Sequence, residues 1–151
     1  MVKLSFWRIL LAGIVFAVIA QIIHHTGAIV SMPFYTDPQY FSVWSKLMMP
    51  TAGLPPPEFA YTSFVFSLII GILFALVYSV ISKCMVGQVV TVKGIFYGFL
   101  VFLIAGIPGA LSLYLLINLP QTLIAMWAFE NLVIYMLGGI TTAWISAISG
   151  G

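Results

Sequence analysis

The chain has 151 residues, of which 63% are hydrophobic and only 5% are charged, and its formal net charge is +2. Soluble domains carry about 25% charged residues, so this composition excludes a water-soluble globular protein and predicts a chain embedded in a lipid bilayer. The few charged groups imply no nucleic-acid partner. The single cysteine, Cys84, excludes an intrachain disulfide and a cysteine-based metal cluster. We expect it to be a small buried or interfacial residue.

The first apolar run predicts a membrane-spanning helix over residues 6–31. A helix of this length, at ~1.5 Å per residue, crosses a hydrocarbon core of ~30 Å. A signal peptide is the alternative, because Val18 and Ala20 precede Gln21 as they would precede a cleavage site. The apolar run continues past Gln21 to Met32, which favours a helix that is retained.

One face of this predicted helix carries small and polar residues at spacings of three and four. Such stripes let helix backbones approach each other closely inside a bilayer. The stripe consists of Gly13, Ala17, Ala20, Gln21, His24, Gly27, Ala28 and Ser31. His24 is therefore predicted to point into a helix bundle. The neighbouring His25 lies ~100° round the helix and is less well placed.

Residues 33–61 predict a long external loop after the first span. Six prolines interrupt this segment, and prolines break long helices. Its tyrosine, phenylalanine and tryptophan residues resemble the aromatic belt at a lipid–water boundary. Residues 40–49 are predicted to form a short helix on the membrane surface. A loop of this length is either functional or a cover over the end of the bundle.

Three further spans are predicted over residues 62–85, 94–118 and 121–148. The sequence Gly106-Ile107-Pro108-Gly109 predicts a kink with freed backbone carbonyls in the third span. Polar stripes recur in the second and fourth spans. They comprise Ser63, Ser67, Gly71, Ala75, Tyr78 and Ser82, and Asn131, Tyr135, Gly138, Thr142 and Ser146.

The predicted fold is therefore an all-α membrane domain, a single bundle of four transmembrane helices over residues 1–151. The spans also suggest two parallel two-helix repeats, related by an axis along the membrane normal. A shift of 85 residues aligns Gly13 with Gly98, and a shift of 68 aligns Gly71 with Gly139. Chance matching between apolar helices is the alternative explanation.

The distribution of basic residues predicts the topology. Four spans place both termini and the 86–93 turn on one side, with Lys3, Arg8, Lys83 and Lys93, whereas the other side has only Lys46. The positive-inside rule then makes both termini cytoplasmic. We expect an integral protein of a prokaryotic inner (plasma) membrane.

The candidate site comprises Gln21, His24, Glu130 and Asn131, with His25 as a less well-placed member. A charged carboxylate in hydrocarbon costs at least ~2.5 kcal/mol, so Glu130 needs a partner or a proton. Glu130 and His24 are predicted at similar depths in the outer half of the bundle, which allows a hydrogen bond. The weakest part of this prediction is that Glu130 lies ~100° from the Asn131 stripe.

Such a pair could orient a quinone head group, hold a metal ion or pass protons. The alternative is that it joins two helices without any chemistry. Two histidines and one carboxylate make a poor metal site, and adjacent histidines on one helix cannot ligate both faces of a haem. No cofactor is implied by the sequence, and no catalytic motif is present.

Two functions follow from these patterns. The first is a non-catalytic accessory or structural subunit of a larger membrane complex, associating with other membrane subunits or with itself. The alternative is a small binding or transport unit for a quinone, lipid, metal or proton, built around His24 and Glu130.

Overall fold

A computed structural model describes residues 5–51, 55–85 and 89–148. The described residues form helices and connecting segments and contain no strand. The α-helices are α1 (Phe6–Tyr35), α2 (Pro57–Ile81), α3 (Val90–Val101), α4 (Ile107–Leu116) and α5 (Gln121–Ala147). Short 3-10 helices cover Pro38–Val43 and Ser82–Cys84, and a π-helical segment covers Phe102–Gly106.

The predicted all-α fold with four long apolar helices is confirmed. The segments Phe6–Tyr35, Pro57–Cys84, Val90–Leu116 and Gln121–Ala147 are each long and apolar enough to cross a membrane. Their lengths of 27 to 30 residues exceed the ~20 residues that a hydrocarbon core requires. These four helices indicate a membrane protein.

Three helix boundaries differ by four or five residues from those predicted. One is the start of the third span, where α3 begins at Val90 rather than at residue 94. The first helix continues past residue 31 to Tyr35, with Pro33 inside its last turn. The Thr36 N–H still donates to the Met32 carbonyl at 3.1 Å, so the turn closes around the proline. The second helix begins at Pro57 rather than at residue 62. Proline suits a first helical position because the N–H that it lacks would have no partner there.

The third span is irregular where the sequence predicts it. Pro108 has no N–H and would crowd the carbonyl four residues earlier in a regular helix. The π-helical turn Phe102–Gly106 immediately precedes this position, and the Ile107 N–H donates to the Phe102 carbonyl. The helical path therefore continues from Val90 to Leu116 with an irregular turn in its middle.

The external segment does not form the short helix predicted over residues 40–49, and that prediction is wrong. Pro38–Val43 form a 3-10 helix, whose first turn is capped by the Asp37 carboxylate accepting from the Gln39 N–H at 2.9 Å. A separate turn follows, in which the Met48 N–H donates to the Ser45 hydroxyl oxygen at 3.1 Å. Serine side chains that bind nearby backbone in this way compete with a continuous helix.

The external segment packs on the start of α5. Leu119, Leu123 and Ile124 form a small buried apolar cluster there. Tyr40, Val43 and Trp44, with the end of α1, pack against this cluster. The described part of the loop thus covers one end of the bundle, although residues 52–54 lie outside the described ranges.

Helices α1 and α5 pack antiparallel to each other and form the centre of the bundle. Helix α2 packs on α1, and α3 packs on α5. The α1–α2 crossing is close because a Cβ on Gly71 would lie 2.7 Å from the Gly13 carbonyl oxygen. At the α3–α5 crossing, a Cβ on Gly94 would lie 2.6 Å from the Gly139 carbonyl oxygen. These contacts bring backbones together as expected for helices in lipid.

Each of the three predicted stripes has members that are buried against neighbouring helices. These members are Gly13, Ala17, Ala20 and Ser31 on α1, Ser67, Gly71, Ala75 and Tyr78 on α2, and Gly138 and Thr142 on α5. Phe16, Phe74 and Tyr97 fill the space between the helices with edge and tilted ring contacts. The Tyr97 hydroxyl donates to the Phe74 carbonyl at 2.6 Å, which ties α3 to α2.

The two glycine crossings occupy equivalent positions in the two predicted repeats. Gly13 contacts Gly71 in the first helix pair, and a Cβ on Gly139 would lie 3.0 Å from the Gly98 backbone nitrogen in the second. Gly98 and Gly139 are the residues that the shifts of 85 and 68 align with Gly13 and Gly71. The internal duplication itself stays a prediction.

Candidate functional site

The predicted contact between His24 and Glu130 is confirmed. The Nδ1 atom of His24 on α1 lies 2.9 Å from Oε2 of Glu130 on α5, where an Nδ1–H donates to the carboxylate. The Glu130 side chain is only 10% exposed, whereas that of His24 is 42% exposed. The imidazole therefore gives the buried carboxylate the polar partner that a low-dielectric environment requires.

Gly27 makes room for the Glu130 carboxylate on the surface of α1. A Cβ on Gly27 would overlap the carboxylate group of Glu130. Gly27 lies three residues after His24, so both face the same side of the helix. The sequence pattern placed Gly27 on the stripe that allows close approach of a neighbouring helix backbone. It did not indicate that Gly27 would face the carboxylate of Glu130 instead.

The pair lies deep within both helices. His24 is eleven residues before the end of α1 at Tyr35, and Glu130 is nine residues after the start of α5 at Gln121. At ~1.5 Å per residue these separations are about 16 Å and 14 Å, measured from the same end of the bundle. The extension of α1 to Tyr35 thus places His24 further inside its helix than predicted.

The other predicted cluster members do not contact Glu130. The Gln21 side-chain amide donates to the hydroxyl oxygens of Ser63 at 3.0 Å and Ser67 at 3.2 Å, so it joins α1 to α2. The expectation that Gln21 completes the His24–Glu130 cluster is therefore wrong. Gln21 precedes His24 by three residues, which shifts it by about one turn along the axis and by about 60° round the helix, so its amide reaches hydroxyls of α2 instead of Glu130.

Asn131 and His25 have different surroundings. Asn131 lines a cavity together with His24 and Glu130, but in the part of the chain that the structure describes its side chain makes no hydrogen bond. His25 is exposed, and its Nδ1 lies 2.7 Å from the Gln21 backbone carbonyl oxygen of its own helix. His25 therefore belongs to the outer surface of α1, as its rotational position predicted.

Two cavities have the Glu130 side chain in common. The first, of about 380 Å³, lies beneath the external segment and is bordered by His24, Glu130 and Asn131. The second, of about 560 Å³, is an apolar groove between α1 and α5. Its walls include Ile23, Val30 and Phe129, and Glu130 is the charged residue among them. Both volumes are within the range of small-molecule sites, about 300–1,000 Å³.

An aromatic cluster borders the first cavity at the end of the bundle. The Trp127 indole N–H donates to the Tyr35 hydroxyl at 2.9 Å, and the Trp44 ring packs against both residues. Tyr35 and Trp127 line the cavity that His24 and Glu130 also line. The sequence pattern assigned Tyr35 and Trp44 only to the aromatic belt at a membrane boundary. The three-residue spacing between Trp127 and Glu130 could have suggested a shared face.

The pair's chemistry follows from its hydrogen bond. A carboxylate that holds Nδ1 fixes the imidazole orientation and directs the other ring nitrogen, Nε2, elsewhere. No side chain of the described residues bonds Nε2, so this nitrogen can bind a molecule in the first cavity, which His24 lines. As metal ligands, His24 and Glu130 would supply two atoms, and the described ranges contain no group of three or more His, Cys, Asp or Glu placed to hold a metal ion.

Comparison with known proteins adds no relative to this description. The chain matches no protein-family model, no curated protein and no solved structure. The function therefore has to be inferred from the geometry of the site itself.

Proposed function

We propose that this protein is a small membrane binding unit whose ligand is an amphipathic molecule with a polar head at the His24–Glu130 pair. One observation carries the proposal. The imidazole is fixed by a buried carboxylate at 2.9 Å and is still 42% exposed, and it lines a cavity that shares Glu130 with the apolar groove between α1 and α5. A pair serving only to join two helices has no need of an open ring.

The chemistry of the pair limits the ligand's head group. While Nδ1–H donates to Glu130, the neutral ring offers Nε2 as an acceptor for a hydroxyl. A protonated ring offers Nε2–H as a donor to a carbonyl. A quinol or a lipid hydroxyl can donate to the neutral ring. A quinone carbonyl can accept from the protonated ring. The groove between α1 and α5, with its aliphatic and aromatic walls, suits the apolar part of such a molecule.

The proposal predicts that a small molecule copurifies with the protein and depends on the pair. The wild type and the double variant His24→Leu/Glu130→Met would be purified in mild detergent or native nanodiscs, and bound small molecules measured by native mass spectrometry. We expect a quinone-class or lipid molecule on the wild type and its loss, by about tenfold or more, in the double variant.

His25→Leu is the matched control for that experiment. It removes the neighbouring histidine, which is exposed and bonds only to its own helix. We expect this variant to retain the molecule. Equal retention by the double variant and His25→Leu would contradict the proposal, as would a wild type that carries no small molecule in nanodiscs made directly from the native membrane.

An accessory or structural subunit is the second candidate function. It is supported by the low burial of the span Val90–Leu116, whose apolar 18-residue window is 6% buried, compared with 28–33% for the corresponding windows of the other three spans. Helix α4 has no buried residue and exposes Leu115 and Leu116. A partner subunit, a second copy or lipid would cover this face. Stoichiometric partner chains on the intact assembly, without a small molecule, would favour this function.

For the orientation, we propose that both termini face the cytoplasm of a prokaryotic inner membrane. Support comes from Arg8, Lys83 and Lys93 at one end of the bundle and Lys46 at the other. Lys3, which was part of the same prediction, lies outside the described residues, as does the 86–88 part of the turn.

Cysteine labelling tests this orientation with the chain's own thiol. Cys84 is exposed at the end of the second span. We expect a membrane-impermeant maleimide, applied to intact cells, to leave Cys84 unlabelled and to label Ser45→Cys in a Cys84→Ala background. In inverted vesicles the pattern should reverse. Labelling of Cys84 alone from outside intact cells would overturn the assignment.

A further inference from the structure

We infer that the bundle has a second site, at the end opposite the external segment, which binds a phosphate group through Lys83 and Lys93. This inference is independent of the function proposed above. The site is a cavity of about 240 Å³ between the end of α2, the start of α3 and the end of α5. Both lysines line it, together with Ser82 and Ser146.

The two lysines have no carboxylate side chain to pair with. The chain contains three acidic residues, Asp37, Glu58 and Glu130. Asp37 caps the external 3-10 helix and Glu58 lies in the first turn of α2, both at the other end of the bundle. Glu130 is bonded to His24. Across the described ranges, the His24–Glu130 contact is the sole ion pair.

The cavity lies at the level where lipid head groups are expected, which favours a phosphate group as the anion. Lys83 and Lys93 belong to the ends of two candidate membrane spans, Pro57–Cys84 and Val90–Leu116, where lipid head groups lie. Basic pockets between spanning helices at this level bind the phosphates of anionic lipids. Lys93 is also in the first turn of α3, where the helix dipole adds positive potential.

A phosphate group also fits the arrangement of the donors. Lysine provides a compact point charge with three N–H donors, and it binds phosphate as such. Lysines from two different helical segments line the same cavity, and the Ser82 hydroxyl there supplies a further donor. The Ser146 hydroxyl donates to the Thr142 carbonyl at 2.7 Å. A lipid head group and free inorganic phosphate share this chemistry, so the experiment must distinguish these sources.

Native mass spectrometry of the detergent-purified full chain tests the site. The protein would be titrated separately with phosphatidylglycerol, phosphatidylcholine and inorganic phosphate. The variants are Lys83→Gln/Lys93→Gln, the charge-preserving Lys83→Arg/Lys93→Arg, and Lys46→Gln as a control at the opposite end. We expect the Gln double variant to bind phosphatidylglycerol about tenfold more weakly or worse, and the Arg variant and Lys46→Gln to bind normally.

Each outcome has a defined meaning. Phosphatidylglycerol binding that depends on Lys83 and Lys93 identifies a lipid as the source of the phosphate, and the same dependence for inorganic phosphate identifies a free anion. If the Gln double variant binds phosphatidylglycerol and inorganic phosphate as tightly as the wild type does, the inference is overturned. It is also overturned if Lys46→Gln weakens binding as much as the double variant does, since overall charge would then explain the effect. If the Gln variant does not fold, the wild type and the folded Arg variant decide. The inference is overturned if neither of them binds phosphatidylglycerol or inorganic phosphate more tightly than the zwitterionic phosphatidylcholine.

Discussion

Replacing Gly71 with leucine should prevent assembly of the bundle. A Cβ at this position would lie 2.7 Å from the Gly13 carbonyl oxygen and 2.8 Å from the Phe16 Cβ, so even alanine requires the helices to separate. Overpacking inside proteins typically costs about 1–3 kcal/mol. We expect a loss of stability at or above ~3 kcal/mol, because the obstacle is backbone. The measurement is the midpoint of thermal unfolding, followed by fluorescence-detected size exclusion in detergent.

Gly109→Leu is the matched control, since it makes the same change in a helix where a Cβ would meet nothing within 4 Å. Ile70→Leu, at a neighbouring site that is 49% exposed, controls for changes on the lipid-facing surface of α2. Both should remain close to wild type. If Gly71→Leu is tolerated as well as these two, the Gly13–Gly71 contact does not hold α1 and α2 together.

Removing one partner of the His24–Glu130 pair should destabilise the protein more than removing both. His24→Leu leaves the buried Glu130 carboxylate without its partner, at a cost of about 2.5 kcal/mol or more. The double variant His24→Leu/Glu130→Met places apolar side chains of similar size in the same space, which is often close to neutral. Reversible unfolding in detergent or bicelles, analysed as a double-mutant cycle, measures the coupling between the two positions.

Gly27→Ala breaks the same contact without touching either partner. The new methyl group would displace the flexible Glu130 side chain at little steric cost. The displaced carboxylate loses its imidazole partner, so we expect a loss of stability that approaches that of His24→Leu. The coupling between residues 24 and 130 should fall towards zero in this background. Gly109→Ala is the control and should leave the coupling intact. A full coupling that survives Gly27→Ala would contradict the observed position of the carboxylate on α1.

Composition and helical periodicity were enough to predict the class of the protein and much of its inner geometry. A composition with 5% charged residues leaves lipid as the solvent, and hydropathy then shows the spans. Helical periodicity placed His24 on the inward face and His25 on the outward one. The cost of an unpaired carboxylate, together with similar depth, was enough to predict the contact between His24 and Glu130.

Which helix each inward face meets depends on how the helices pack in the bundle. Periodicity defines a direction around one helix, but not which neighbour lies in that direction, so it could not tell that Gln21 bonds to α2 while His24 bonds to α5. It could not show that Glu130, at the flank of its own stripe, reaches α1 because Gly27 leaves space for the carboxylate. The same limit applies to the cavity lined by Lys83 and Lys93, which exists only because the end of α2, the start of α3 and the end of α5 lie side by side.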